Sequence, residues 1–135
     1  MMTINTHLAV NPDLCGRITE LSAGRAVCRL TLTDCMRADT KGLVHGGFIF
    51  GAADYAAMVA VNEPHVVLSA AEVGFLVPSR VGDELTFEAV VRQSSGIRSE
   101  VEVTGRAASG EAVFKGRFAC AVPPAHVLHR KSPGT

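Results

Sequence analysis

Two hydrophobic periods run along this chain, and the change from one to the other marks its elements. From Phe48 to Val61 the sequence is almost wholly apolar. Asp54 is the only charged residue there, and Tyr55 carries the only other polar side-chain group. A helix apolar on every side is a buried helix. Further along, the period drops to two. Arg98, Glu100, Glu102, Thr104 and Arg106 fall on one face, with Ser99, Val101, Val103, Gly105 and Ala107 on the other. Glu84 to Arg92 repeats the pattern with Leu85, Phe87, Ala89 and Val91 inward, and Ala112, Phe114, Phe118, Cys120 and Val122 line one face of the last run. Alternation of this kind predicts half-buried antiparallel strands. Cys15 to Leu21 and Arg25 to Thr33 read as an earlier hairpin, and Val66 to Val77 as one more strand. Turn-forming stretches separate these runs: Ser22-Ala23-Gly24, Pro78 to Asp83, Ser94-Ser95-Gly96 and Ser109-Gly110.

The predicted order is thus a strand pair, one long helix, then four strands. A single apolar helix and a single antiparallel sheet must bury each other. The expected fold is α+β, a curved sheet of about five to six strands wrapped around a helix spanning about 46–62. A chain of 135 residues fits one such domain over 1–135, with a core at about 14–122 and a C-terminal tail at 123–135.

Composition narrows the classes of function. Hydrophobic residues make up 47% and charged residues 19%, a globular rather than a disordered balance. Thirteen basic residues against thirteen acidic ones leave no footprint for nucleic acid. The apolar helix is too short to span a bilayer and carries Asp54 near its middle, so no membrane association is expected. The start, MMTINTHLAV, lacks the features of a secretory signal. Cys15, Cys28, Cys35 and Cys120 show no C-x-x-C spacing and read as reduced thiols of a cytoplasmic protein. His126 and His129 fall in the tail, which reads as frayed chain rather than as a metal site, and no metal is expected.

Asp54 is the anomaly that calls for chemistry. An ionised carboxylate in apolar surroundings is costly unless it is paired, hydrogen-bonded or protonated. Just before the helix stands His45-Gly46-Gly47. The first amides of a helix lack partners within it and sit at the positive end of its dipole. Two glycines leave those amides open to a polarised carbonyl oxygen. They equally suit a tight turn or a close helix–sheet contact. Geometry adds a constraint: eight residues along a helix amount to about 12 Å, whereas groups acting on one carbon lie within about 3–3.5 Å of it. If Gly46 and Asp54 act together, they come from different subunits across a twofold axis.

These residues resemble a known family, the hotdog-fold acyl-CoA thioesterases of the phenylacetate-degradation type. The carriers are Asp39-Thr40-Lys41-Gly42-Leu43-Val44, then His45-Gly46-Gly47, then Ala53-Asp54 with the aspartate nine residues after the histidine. Val73-Gly74-Phe75-Leu76-Val77-Pro78 and Val81-Gly82-Asp83 match the strand and turn that follow. The resemblance covers roughly Leu14 to Val122. It implies that Asp54 acts as general base on water or as nucleophile on the thioester carbonyl. It makes the Gly46 amide the donor to the thioester oxygen from the opposite subunit, and gives His45 a part in shaping the site. It also implies an acyl-CoA substrate without further cofactor, a homodimer as the minimal active unit and a homotetramer as the usual assembly.

Around this centre, Gly47, Asp39, Ser69, Glu72 and Phe48 are candidate substrate-binding residues. Two departures from the family stand out. Asp39 occupies the place of an asparagine and cannot donate an amide hydrogen bond. Val77 replaces a basic residue before Pro78. Glu72 either lines a pocket or pairs with an arginine on the exposed face, and Ser69 either holds a water near Asp54 or is plain surface. Phe48, Phe50, Tyr55 and Met58 divide between substrate wall and core in a way the sequence leaves open. Two other classes share the fold: an acyl-CoA-binding module without catalysis, and a hydratase or dehydratase, whose histidine and carboxylate motif is not found here.

Overall fold

A computed structural model of the chain describes residues 1–129, so the expected tail over 123–135 is seen only as far as His129. Six strands form one antiparallel sheet: β1 (Arg17–Ser22), β2 (Arg25–Thr31), β3 (Val67–Phe75), β4 (Glu84–Ser95), β5 (Arg98–Arg106) and β6 (Ala112–Ala121). Their order across the sheet is β1-β2-β4-β5-β6-β3. A four-residue turn of helix, α1 (Pro12–Cys15), precedes them, and the long helix α2 (Gly46–Val61) lies between β2 and β3 in sequence. This is the hotdog arrangement, a curved sheet packed around one helix.

The first hairpin begins later than its polar pattern suggests. Cys15 ends α1, which Asn11 caps by accepting the Asp13 amide, and the strand starts only at Arg17. Gly16 explains the break. Its φ is +92°, and a Cβ there would lie 2.5 Å from Cys28 Sγ and 2.7 Å from the Arg29 carbonyl oxygen. Only glycine serves where positive φ and close packing coincide.

The helix obeys its apolar composition. Ala52, Ala53, Ala56, Ala57, Met58 and Val59 are fully buried, so small residues let the sheet close tightly on α2. Leu30, Leu85, Phe87, Val101, Val103, Phe114 and Phe118 meet them from the inner face of the sheet. Truncating one of these phenylalanines to alanine would cost about 3–5 kcal/mol. At its far end α2 stops at Asn62, which adopts φ 58° and ψ 33° and returns its amide to the Met58 carbonyl. That asparagine also accepts from the Asn5 amide at 2.8 Å and donates to the Thr3 carbonyl at 2.9 Å, fastening the N-terminal segment across the helix end.

Topology leaves β3 on an edge. It pairs only with β6, and Ser69, Ala70 and Ala71 along it are exposed. Phe75 and Leu76 at its end are 52% and 51% exposed, a high value for large apolar residues. On α2, Gly47 is exposed and Phe50, Gly51 and Asp54 are half-buried. Their three- and four-residue spacing makes one open stripe on an otherwise buried helix.

Candidate active site

The loop from Arg37 to Val44 and the turn from Pro78 to Asp83 hold the entrance of α2 in place. The Val44 amide donates to the Ser79 carbonyl, the Val81 amide to the Gly42 carbonyl and the His45 amide to the Met36 carbonyl, each at 2.9 Å. Asp39 works inside this loop. Its Oδ1 accepts from the Lys41 amide at 2.9 Å and the Leu43 amide at 3.1 Å, so the carboxylate shapes the approach to the helix. An asparagine oxygen would make the same two bonds, so the departure at this position leaves the loop geometry intact.

His45 caps α2 by accepting the Gly47 amide on Nδ1 at 2.7 Å, and the Phe48 amide donates to the His45 carbonyl at 3.2 Å. Gly46 is different. Among the described residues its amide has no acceptor, which leaves one donor open at the positive end of the helix. A Cβ on Gly46 would meet Phe75 Cε1 at 3.1 Å, and one on Gly47 would lie 2.8 Å from the His45 ring. Both glycines therefore satisfy packing as well as access. Phe48 is half-buried and stands edge-on to the His45 ring, with centroids 6.1 Å apart.

Asp54 sits two turns further along. Its Oδ1 is buried and, among the described residues, has no hydrogen-bond partner. Burial, with nothing to repay it, pushes the carboxyl up to about 6. Two thiols feel its charge: burial first and Asp54 second raise Cys15, and the same two causes push Cys120 up to about 12. Both therefore stay protonated at neutral pH. The nearness of Cys15, which α1 brings to the helix, has no counterpart in the sequence pattern. Phe50 packs against Phe118 with centroids 5.6 Å apart and so belongs partly to the core, while Met58 is fully buried within it.

The remaining candidates lie elsewhere. Glu72 faces outward, opposite Arg117 in register, and receives its guanidinium at 2.8 Å, a surface ion pair that also lines an open groove with Gly74 and Lys115. Its carboxylate is on the side of the sheet away from α2. Ser69 occupies the irregular register point of β3 and donates to the Ala119 carbonyl at 2.9 Å. All four cysteines are free thiols, and no group of three His, Cys, Asp or Glu among the described residues is placed to hold a metal ion. No helix among them is long and apolar enough to cross a membrane.

A single long helix packed in a curled six-stranded antiparallel sheet defines the hotdog class of folds. A family model for the Thioesterase superfamily matches residues 41–114, more than half of the chain, and the chain belongs to that superfamily. Its type is that of the PaaI protein from the phenylacetic acid degradation operon of Escherichia coli. That structure is 28% identical, with a TM-score of 0.77 over 84% of this chain and 83% of that one. An uncharacterized protein of Pyrococcus horikoshii superposes with a TM-score of 0.92 at 45% identity, over 94% of this chain and 97% of that one. Among curated proteins, a methylthioribose-1-phosphate isomerase of Aquifex aeolicus is 48% identical over 118 residues. That match takes in 87% of this chain, yet the chain spans only 25% of the isomerase's length.

Proposed function

We propose that the protein is an acyl-CoA thioesterase, releasing a carboxylic acid and free coenzyme A. The observation that carries this reading is the buried Oδ1 of Asp54, unpaired among the described residues, in a helix with no other charged residue. Asp54 takes a proton from water, which attacks the thioester carbonyl, or attacks that carbonyl itself. The Gly46 amide receives the negative charge developing on the oxygen. In the general-base route the C–S bond then breaks and the coenzyme A thiolate takes the proton held by Asp54. In the nucleophile route its breaking leaves a mixed anhydride on Asp54. Water hydrolyses that anhydride to the acid and the free carboxylate, a proton of that water going to the thiolate. A carboxyl raised to about 6 is mostly ionised at neutrality and a stronger base than an ordinary aspartate, which suits general-base work.

Both groups lie on one α2, about 12 Å apart along its axis, so one Asp54 side chain cannot serve the Gly46 of its own subunit. The reading therefore includes a homodimer. The open stripe on α2 and the exposed edge of β3 support it, since an unpaired edge strand invites a second copy across a twofold axis. Two such sites form per dimer, and pairing of dimers gives a homotetramer. Four free thiols fit a cytoplasmic protein. An acyl-CoA-binding module is the alternative, and a costly unpaired carboxylate argues against it, because binding alone has no use for one.

The test is hydrolysis of short-chain, long-chain, phenylacetyl and hydroxybenzoyl-CoA, with free coenzyme A followed by chromatography and Asp54→Asn alongside. Turnover that collapses in the variant supports the thioesterase. Coenzyme A binding without turnover across the panel turns the reading to a carrier or sensor.

A further inference from the structure

We propose that Phe75 is a specificity-determining residue, the ring that covers the Gly46 amide and limits the bulk of the acyl group beside the thioester carbonyl. The proposal rests on the reading of Gly46 as the oxyanion donor. Period-two alternation puts Phe75 on the inner face of β3, in register with Phe114 of β6. Phe114 is fully buried and holds the Phe75 ring edge-to-face, with centroids 5.4 Å apart and planes at 73°. Phe75 is thus fixed in direction although half its surface is open.

That ring lies over Gly46. A Cβ there would be 3.1, 3.4 and 3.5 Å from three consecutive ring carbons, Cε1, Cζ and Cδ1. Aromatic carbon therefore packs against the Cα of Gly46, next to its unpartnered amide. The other side is bounded by the His45 ring, which fills the space next to Gly47, with Phe48 behind it. A carbonyl oxygen reaching the Gly46 N–H enters between these rings. A hydrogen bond to a developing oxyanion counts for more where apolar rings border the donor. The substituents next to the carbonyl must then lie against Phe75. A simple core residue would not leave half its ring exposed, and an interface residue alone would not need to sit on the donor.

The test measures kcat and KM for Phe75→Ala and Phe75→Leu on acetyl-, butyryl-, isobutyryl- and pivaloyl-CoA. Preference for branched over straight acyl groups should rise by about tenfold or more in Phe75→Ala, in line with the 10–200-fold that one methylene-sized contact commands. Phe75→Leu, which keeps an apolar side chain on the edge strand, should fall between. A second arm uses Gly46→Ala, whose methyl meets the ring. Turnover lost in Gly46→Ala and partly regained in Gly46→Ala/Phe75→Ala is the expected coupling. Unchanged acyl preference in Phe75→Leu, with the oligomer intact and Gly46→Ala inactive, overturns the role of Phe75 alone. Full activity in Gly46→Ala overturns the oxyanion reading beneath it, and wild-type silence on these four and on the long-chain and aromatic acyl-CoAs overturns both.

Discussion

His45 Nδ1 accepts the Gly47 amide at 2.7 Å, so the histidine of the site is also the cap of the helix that carries Asp54. The bond fixes the tautomer, leaving the hydrogen on Nε2. It also explains why Gly47 lacks a side chain, since a Cβ would strike the imidazole. His45→Ala should lose about 0.5–2 kcal/mol with the cap. His45→Asn keeps a capping oxygen and should recover most of that stability. Thermal denaturation measures the cap, and turnover of the two variants measures what the imidazole adds. Equal activity in His45→Asn and wild type would reduce His45 to a helix cap.

Asp54 couples activity to stability with opposite signs. Its carboxyl rises from an ordinary value of 3.8 to about 6 because burial disfavours the charge. The folded protein thus binds this proton more tightly than the unfolded chain does, and the contribution of Asp54 to stability falls as pH rises through that window. Asp54→Asn should therefore be more stable at pH 7, by on the order of 1–3 kcal/mol, and should lose this pH dependence. Turnover should fall by about 10²- to 10⁴-fold in the same variant. Loss of activity through unfolding would show as a lower Tm, the reverse of what is expected.

The rate profile follows from the same carboxyl. A general base works ionised, so kcat/KM should climb with pH through about 6 and level off above it. A log kcat/KM that stays flat from pH 5 to 8 while the protein remains folded would mean that another group accepts the proton.

The sequence carried the fold because its two hydrophobic periods are clean. The 46–62 helix and the strands beginning at Glu84, Arg98 and Ala112 needed no tertiary information to read. Errors collected where tertiary contact overrides pattern. Cys15 reads as strand, but Gly16 packs so closely on Cys28 that the chain turns there instead. The N-terminal segment falls outside the expected core at about 14–122, yet Asn62 fastens it through two hydrogen bonds to backbone. In the site, Asp54 and the glycines were legible because each breaks a local rule, a charge in an apolar helix or two glycines at its start. The nearness of Cys15 to Asp54 and of Phe75 to Gly46 follows from contacts distant in sequence, which no periodicity records.

Glu72 tests the division between site and surface. Its pair with Arg117 lies on the outer face, where both side chains are mostly exposed. Exposed ion pairs add little to stability. Glu72→Ala should show no resolvable change in Tm and unaltered kcat and KM on every acyl-CoA. A raised KM confined to this variant would return Glu72 to the substrate, reached from a neighbouring subunit.

Sites shared between subunits can be separated by complementation. Gly46→Val places a branched side chain against the Phe75 ring and blocks the approach to the amide, while Asp54→Asn removes the base; each homodimer should be nearly inactive. In a mixed dimer, Gly46 of the Asp54→Asn chain meets Asp54 of the Gly46→Val chain, and one complete site reforms. The second site of the same dimer carries both lesions. Random association makes half the dimers mixed, each with one working site of two, so co-refolded chains should regain about a quarter of wild-type activity. No regain, with mixed dimers demonstrated by differential tags, would mean that each subunit completes its own site. The distance along α2 would then have to be bridged by some group other than Asp54.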